Sequence, residues 1–164
     1  MLQDKELKVY NVLNELGIQY IRYEHPAVYT VEEANSLDID FKGQQCKNLF
    51  LRNRRGDAHY LVILDERKQA DLKKLAGLIG STALSFASEE RLERYLGLTR
   101  GSVTPFGLIN DTGKKVEVLV DEGLKEGSHI CFHPNVNTAT LTIGVEDFMS
   151  FLEWCGNKVT YISL

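Results

Sequence analysis

Two apolar segments that flank a short polar turn constrain the fold more than any other part of this sequence. Residues 44–52 form the first segment, and the polar cluster 53–57 closes it. Residues 58–65 form the second segment, which is an almost continuous apolar run. Such a run is expected of an interior strand that is buried on both faces. The pair therefore predicts a β-hairpin in the middle of a sheet.

A lysine interrupts the first of these strands. Side chains alternate between the two faces of a strand, so Lys47 shares a face with Leu49 and Leu51, and Asn48 faces the other way. An ammonium group is costly inside an apolar core. A position at the rim of the core, aimed into a cleft, resolves this conflict and puts Asn48 beside it. The alternative is a lysine whose stem packs while its charged end reaches water.

Helical and extended patterns are mixed along the rest of the chain, without strict strand–helix alternation. This mixture predicts an α+β (mixed α/β) fold. No linker or repeat interrupts the pattern, so residues 1–164 are predicted to form a single domain. Helices are predicted over 4–16, 31–37, 70–79, 89–96 and 145–154, and further strands over 20–24, 83–86, 108–109, 116–120, 128–132, 138–143 and 158–164, with a hairpin-type turn at 110–113.

The overall composition excludes several classes of protein. No apolar run approaches the ~20 residues of a membrane helix, and the N-terminus has acids and no apolar stretch typical of a signal peptide. The three cysteines, Cys46, Cys131 and Cys155, are far apart and odd in number. They indicate neither a disulfide framework nor a metal site, and a cytoplasmic protein is expected.

The charge of the chain limits its partners. A net charge of −4 argues against DNA binding by bulk electrostatics. A local basic patch is compatible with that total, because Arg52, Arg54 and Arg55 cluster at the end of the first hairpin strand. A merely solvated charged face is the competing interpretation.

Two further features could take part in chemistry. The loop from Gly101 to Pro105 combines a flexible and a rigid residue, and such a loop can present successive N–H groups to an anion. A plain connecting loop is its alternative. His133 ends a predicted strand just before a proline, where an imidazole can orient a substrate or relay a proton. A purely structural histidine explains the same position.

In order along the chain, these segments resemble the YbaK/ProX superfamily of aminoacyl-tRNA editing domains. Within it, the chain is most similar to the free-standing prolyl-tRNA editing proteins, which hydrolyse alanine mischarged on tRNA(Pro). The segments that carry the resemblance are 25–34, 47–51, 101–106, 133–140 and 147–152.

No metal or organic cofactor is expected, because no cluster of His, Cys or Asp residues has the spacing of a ligand set. The resemblance implies a domain built around a central, mostly antiparallel sheet, and an enzyme that hydrolyses an aminoacyl ester. It also implies that the family uses no protein nucleophile, and that a free ribose hydroxyl of the substrate helps to activate water. Lys47 matches the essential lysine of the family and would hold the terminal phosphate or ribose. Backbone amides of Gly101 and Ser102 would stabilise an oxyanion, and His133 would shape the pocket or contact the adenosine.

The expected catalytic set is thus Lys47, Asn48, Gly101, Ser102 and His133. The expected substrate-binding set consists of apolar walls, the glycine–proline loop and two cations: Val31, Leu49, Val103, Thr104, Pro105, Phe106, Arg52 and Arg54.

The expected partner is the acceptor end of mischarged tRNA(Pro), with transient encounters with prolyl-tRNA synthetase or an elongation factor. Two alternatives stay open. One is a deacylase for Cys-tRNA(Pro) or another small aminoacyl-tRNA, and the other is a non-catalytic module that binds tRNA or a protein.

Overall fold

The computed structural model describes residues 2–164, which form five α-helices, two 3₁₀ helices and eight strands. The α-helices are α1 (Asp4–Glu15), α2 (Val31–Asn35), α3 (Leu72–Ile79), α4 (Glu89–Leu96) and α5 (Val145–Cys155), and the 3₁₀ helices are Pro105–Asn110 and Glu122–Glu126. The strands are β1 (Tyr20–Glu24), β2 (Gln44–Arg52), β3 (His59–Asp65), β4 (Ser85–Phe86), β5 (Val116–Asp121), β6 (His129–Phe132), β7 (Ala139–Gly144) and β8 (Val159–Ile162).

Local capping fixes the ends of several helices. The Ser88 hydroxyl accepts from the Arg91 N–H at the start of α4, and Gly97 ends this helix in the left-handed conformation. Thr30 caps α2 by accepting from the Glu33 N–H at 3.1 Å, while the Glu33 carboxylate accepts from the Tyr29 N–H at 3.0 Å. These side chains satisfy N–H groups that have no partner inside a helix. These caps lie at the ends of two helices that the sequence predicts, over 31–37 and 89–96.

The predicted hairpin is confirmed and lies at the centre of a mixed sheet. Strands β2 and β3 pair antiparallel, and the strand order is β1-β7-β6-β2-β3-β5-β8, with β4 paired to β2. Four pairings are antiparallel and three are parallel among the described residues. Leu61 and Ile63 of β3 enter the larger hydrophobic core, and Val62 and Leu64 enter the smaller one on the opposite face. Strand β3 is therefore buried on both sides, as its continuous apolar run predicts.

The sheet forks along one edge of β2. Strand β6 pairs with β2 only at Gln44 and Gln45, and β4 pairs with it only at Leu51 and Arg52. Between these two short pairings, the edge of β2 from 46 to 50 has no strand partner in the described part of the chain. A gap between diverging strands is a natural place for a ligand. Here the gap lies beside Lys47 and Asn48.

The strand predicted over 108–109, and with it the hairpin-type turn at 110–113, is wrong. Both residues lie in the 3₁₀ helix Pro105–Asn110. Pro105 occupies the first turn of this helix and Thr104 caps it, and both choices favour a helical start. Asp111 then holds the N–H groups of Lys115 and Val116 with its carboxylate, so the chain leaves through a capped loop.

Helix α5 is confirmed where the sequence predicts a helix over 145–154, and its Phe148, Phe151 and Leu152 are almost fully buried. Among residues 2–164, none of the helices combines the length and apolarity needed to cross a membrane.

Candidate active site

A cleft of about 380 Å³ fills the fork beside β2. Its lining comes from β2, from the segment after β1, from the loop before the first 3₁₀ helix, and from the end of β6. The cleft brings together seven of the residues predicted for the site, namely Val31, Lys47, Asn48, Leu49, Gly101, Val103 and His133.

Lys47 is half-buried in the wall of the cleft and pairs with Leu64 of β3 through the backbone. Within residues 2–164, no carboxylate lies within 4 Å of its ammonium group, so no salt bridge holds it. Glu66 supplies the carboxylate in the lining of the cleft. Burial, with help from the charge of Asp65, raises the pKa of Glu66, and the charge of Lys47 opposes this rise. The lysine is therefore available to an anionic ligand.

Asn48 connects β2 to the glycine–proline loop. Its Nδ2 donates to the Val103 carbonyl at 3.2 Å, which bridges the gap in the sheet. Its Oδ1 is buried and has no hydrogen-bond partner among the described residues. A buried acceptor without a donor costs about 1–3 kcal/mol. This oxygen is thus ready to accept a hydrogen bond from a ligand or from water.

The backbone conformation of Gly101 depends on the lack of a side chain. Its φ is +84°, and a Cβ built there would lie 2.7 Å from Cδ1 of Tyr29. The loop and the Tyr29 ring are therefore in close contact at the mouth of the cleft. The neighbouring Ser102 is buried and its N–H donates to the Thr99 carbonyl at 3.1 Å. The Ser102 amide is already engaged, which corrects the expectation that it stabilises an oxyanion.

The imidazole of His133 has a defined tautomer. Its Nδ1 lies 2.8 Å from the Ala139 carbonyl, and a carbonyl can only accept, so Nδ1 carries the proton. Nε2 is then the acceptor nitrogen. Burial is the main cause that lowers the pKa of His133, although the bond to Ala139 opposes it. His133 is neutral at pH 7 and acts as an acceptor through Nε2.

A second histidine lies beside it. The ring centroids of His25 and His133 are 6.0 Å apart. Nδ1 of His25 donates to the Pro26 carbonyl at 2.9 Å, so Nε2 accepts from the Thr140 hydroxyl at 2.8 Å. Both nitrogens of His25 are occupied, which suits a residue that positions the wall of the cleft.

The cleft also contains two thiols that are poor nucleophiles. Burial raises the pKa of Cys46 and that of Cys131 above the usual range for cysteine. Thiolates are the reactive form of cysteine, so neither side chain is activated at neutral pH.

The structure places five other predicted residues away from the cleft. Thr104, Pro105 and Phe106 are buried in the start of the 3₁₀ helix, where the Phe106 ring packs edge-on against two core phenylalanines. These three buried residues are not part of the lining of the cleft. The Arg52 guanidinium donates to the Asn53 and Arg54 carbonyls at the hairpin turn. That turn is about 16 Å along β2 from Lys47, because a strand rises about 3.3 Å per residue.

Several cleft residues were not predicted from the sequence, chiefly His25, Tyr29, Gln45, Glu66 and Thr140. Of these residues, His25 is the one that the sequence indicates most clearly, because, like His133, it directly follows a strand and precedes a proline. The pairing of β1 with β7, which brings His25 and Thr140 together, is a long-range contact without a local sequence pattern.

The fold and the cleft belong to a known class of domain. Residues 25–151 match the family model of the aminoacyl-tRNA editing domain. The chain belongs to this family, and the match includes every residue discussed above for the cleft.

Particular relatives are similar over most of their length. The chain is 45% identical to the prolyl-tRNA editing protein ProX of Acetoanaerobium sticklandii over 164 residues, which is 100% of both chains. It is 36% identical to prolyl-tRNA synthetase associated domain-containing protein 1 of Bos taurus, over 88% of this chain and 86% of the relative. A solved structure with a proposed role as a trans-editing enzyme for prolyl tRNA synthetase superposes with a TM-score of 0.72 at 22% identity, covering 100% of this chain and 99% of the other. The last likeness establishes the mixed α/β fold.

Proposed function

We propose that this protein is a trans-acting aminoacyl-tRNA deacylase that hydrolyses the ester of alanine mischarged on tRNA(Pro). Membership of the editing-domain family and full-length similarity to a prolyl-tRNA editing protein support the deacylase activity. One observation carries the proposal for the site. Lys47 with Asn48, the Gly101 loop and His133 are more than 30 residues apart in sequence and line the same cleft.

Lys47 would hold the anionic end of the substrate. An ammonium group without a carboxylate partner suits the phosphate of the terminal nucleotide, whose charge remains constant during the reaction. This contact would orient the ester without taking part in bond breaking. Orientation of this kind can lower a barrier by several kcal/mol.

Hydrolysis would proceed by attack of water on the ester carbonyl carbon. The C–O bond to the ribose breaks, one proton of the water passes to the ribose oxygen, and the amino acid leaves as its carboxylate after the second proton is released to solvent. The Gly101 and Val103 N–H groups have no hydrogen-bond partner among the described residues, and they replace the Ser102 amide as candidate donors to the developing oxyanion. His133 Nε2 would accept a hydrogen bond from the free ribose hydroxyl or from the attacking water.

Alanine is proposed as the substrate because of the resemblance to the prolyl-tRNA editing proteins, and discrimination by size is compatible with it. A site built for proline cannot strongly reject a smaller side chain, because each missing methylene is worth only about 1–3 kcal/mol. A second site that admits small side chains removes the error. The apolar walls contributed by Val28, Val31 and Leu37 would set the size limit.

The test compares release of amino acid from Ala-tRNA(Pro), Cys-tRNA(Pro) and Pro-tRNA(Pro). We expect fast release of alanine, and at least a hundredfold loss in Lys47→Met, which keeps the apolar stem and removes the charge. Lys73→Met is the matched control, because Lys73 is an exposed lysine outside the cleft. It is expected to match the wild type.

The outcomes separate the proposal from its alternatives. Preferential release of cysteine would move the substrate from alanine to cysteine. Tight binding of tRNA(Pro) without release of any amino acid would indicate a binding module. Equal rates for the Lys47 and Lys73 variants would remove Lys47 from the site.

A further inference from the structure

A second groove lies next to the cleft, on the other side of the Gly101 loop. Its cavity is about 550 Å³, and it shares Asn48, Leu49, Gly101 and Val103 with the cleft. Its outer part is formed by Phe86 of β4, by the start of α4, and by Arg100. The groove is therefore adjacent to the candidate active site, and the Gly101 loop lies between the two cavities.

Two exposed aromatic rings flank the loop between the cleft and the groove. Phe86 is 63% exposed and Tyr29 is 62% exposed, the largest values among the large hydrophobic side chains of residues 2–164. Tyr29 lines the cleft and packs beside Gly101, and Phe86 lines the groove. Exposed aromatic rings are the platforms on which single-stranded bases stack.

The cavities on the two sides of the cleft differ in the charged side chains that line them. The cavity beyond α2 is lined by Asp38 and Asp40, and Lys42 pairs with Asp40 at 3.4 Å. The groove carries Arg100, whose side chain is 84% exposed and 4.0 Å from Glu89. An exposed ion pair of this length contributes little, so a phosphate can take over the guanidinium. Although Glu89 also lines the groove, Arg100 offers a phosphate an exposed cation there, whereas the side chains that line the cavity beyond α2 include two aspartates and no cation.

We infer that this groove holds the nucleotides that precede the terminal adenosine in the single-stranded 3′ end of the tRNA. The terminal adenine stacks on Tyr29, the preceding base stacks on Phe86, and Arg100 contacts a phosphate. Bases of RNA ends are commonly recognised by stacking of this kind. This inference rests on the proposed function, because it assigns the path of the same substrate.

The test compares a long and a short substrate. Phe86→Ala is measured on Ala-tRNA(Pro) and on alanine esterified to adenosine alone, which lacks the preceding nucleotides. We expect kcat/KM on the tRNA to fall about tenfold, mainly through KM, while the loss on the adenosine ester stays below twofold. Leu78→Ala is the control, since Leu78 is 53% exposed and lies on α3, away from both cavities.

A binding measurement separates this inference from the proposed function. The probe is a fluorescent single-stranded RNA that ends in CCA, and the readout is the change in anisotropy. We expect Phe86→Ala and Arg100→Ala each to weaken binding at least fivefold, and Leu78→Ala to leave it unchanged. A wild type that deacylates Ala-tRNA(Pro), together with unchanged kinetics and binding in Phe86→Ala, would overturn the groove assignment alone. Inactivity of the wild type on every aminoacyl-tRNA would overturn the proposed function instead.

Discussion

Replacing Gly101 with alanine tests whether the loop at the mouth of the cleft acts in the reaction. Gly101 has φ +84°, and a Cβ there would lie 2.7 Å from Cδ1 of Tyr29. Gly80 provides a matched control. It has a similar φ of +68°, but a Cβ there would have no neighbour within 4 Å, and it ends α3 outside the cleft. The two variants therefore share the same backbone strain and differ in the contact with Tyr29.

The loss of stability should be nearly the same in the two variants. An alanine in the left-handed region destabilises the folded state by about 1–2 kcal/mol. The lower conformational entropy of its unfolded chain offsets about 0.4–1 kcal/mol of this loss. The net loss is therefore about 1 kcal/mol, or about 2–4 °C in Tm for a chain of this size. The exposed Tyr29 ring can turn away from the new methyl group, so the contact adds little to this loss.

The effect on activity should differ sharply between the two variants. Movement of Tyr29 and the loop amides by about 1 Å would misalign the ester, and misplacements of that size cost about a hundredfold in rate. The assay is deacylation of Ala-tRNA(Pro), with Tm measured on the same samples. We expect Gly101→Ala to lose about 10- to 100-fold in kcat/KM and Gly80→Ala to stay within twofold of the wild type. Equal activities of the two variants would refute a role for the loop in the site.

Three further predictions concern the nucleophile, acid stability and salt. Thr140→Val removes the hydroxyl that donates to His25 at 2.8 Å, and we expect a loss below about tenfold if water attacks the ester. A complete loss, with Thr140→Ser active, would indicate an enzyme-bound ester on the hydroxyl. Burial holds the pKa of His59 at about 4, with help from the charge of Arg91. Between pH ~6.5 and pH ~4 the unfolded chain binds a proton at His59 and the folded protein does not. The folded protein therefore keeps its full stability above pH ~6.5 and loses up to about 3 kcal/mol of its free energy of unfolding as the pH falls toward 4. Urea unfolding at pH 7 and pH 4.5, with His59→Gln as comparison, should show a smaller acid loss in the variant, and parallel losses would contradict this cause. Deacylation should weaken as salt rises, because phosphate contacts release counterions, and a flat salt dependence of kcat/KM would argue against such contacts.

The sequence predicted the parts of the fold that depend on local patterns. The β2–β3 hairpin follows from two apolar runs around a turn, and α4 follows from its two caps, Ser88 and Gly97. The strand prediction at Leu108-Ile109 is wrong because two adjacent apolar residues are too few to show either a helical or a strand period. The capped 3₁₀ start at Thr104 and Pro105 decided their conformation instead.

The site was only partly predictable for a related reason. The sequence indicates Lys47 because it shares a strand face with two leucines, and His133 because it ends a predicted strand just before a proline. The family resemblance supports both. Phe106 was expected to line the substrate pocket and lies in the core, because a sequence cannot distinguish an apolar wall from an apolar interior. Tyr29 and Glu66 reach the cleft through the tertiary fold, and their local sequence gives no sign of it.

The central claim is that this cleft removes alanine from tRNA(Pro) and spares the correct proline ester. The most direct measurement is the single-turnover rate constant for deacylation of Ala-tRNA(Pro) and of Pro-tRNA(Pro), with the wild-type enzyme in excess. We predict that alanine is released at least a hundredfold faster than proline, since the larger ring should not fit the pocket. Equal rate constants for the two esters, or no release above the rate without enzyme, would contradict the account.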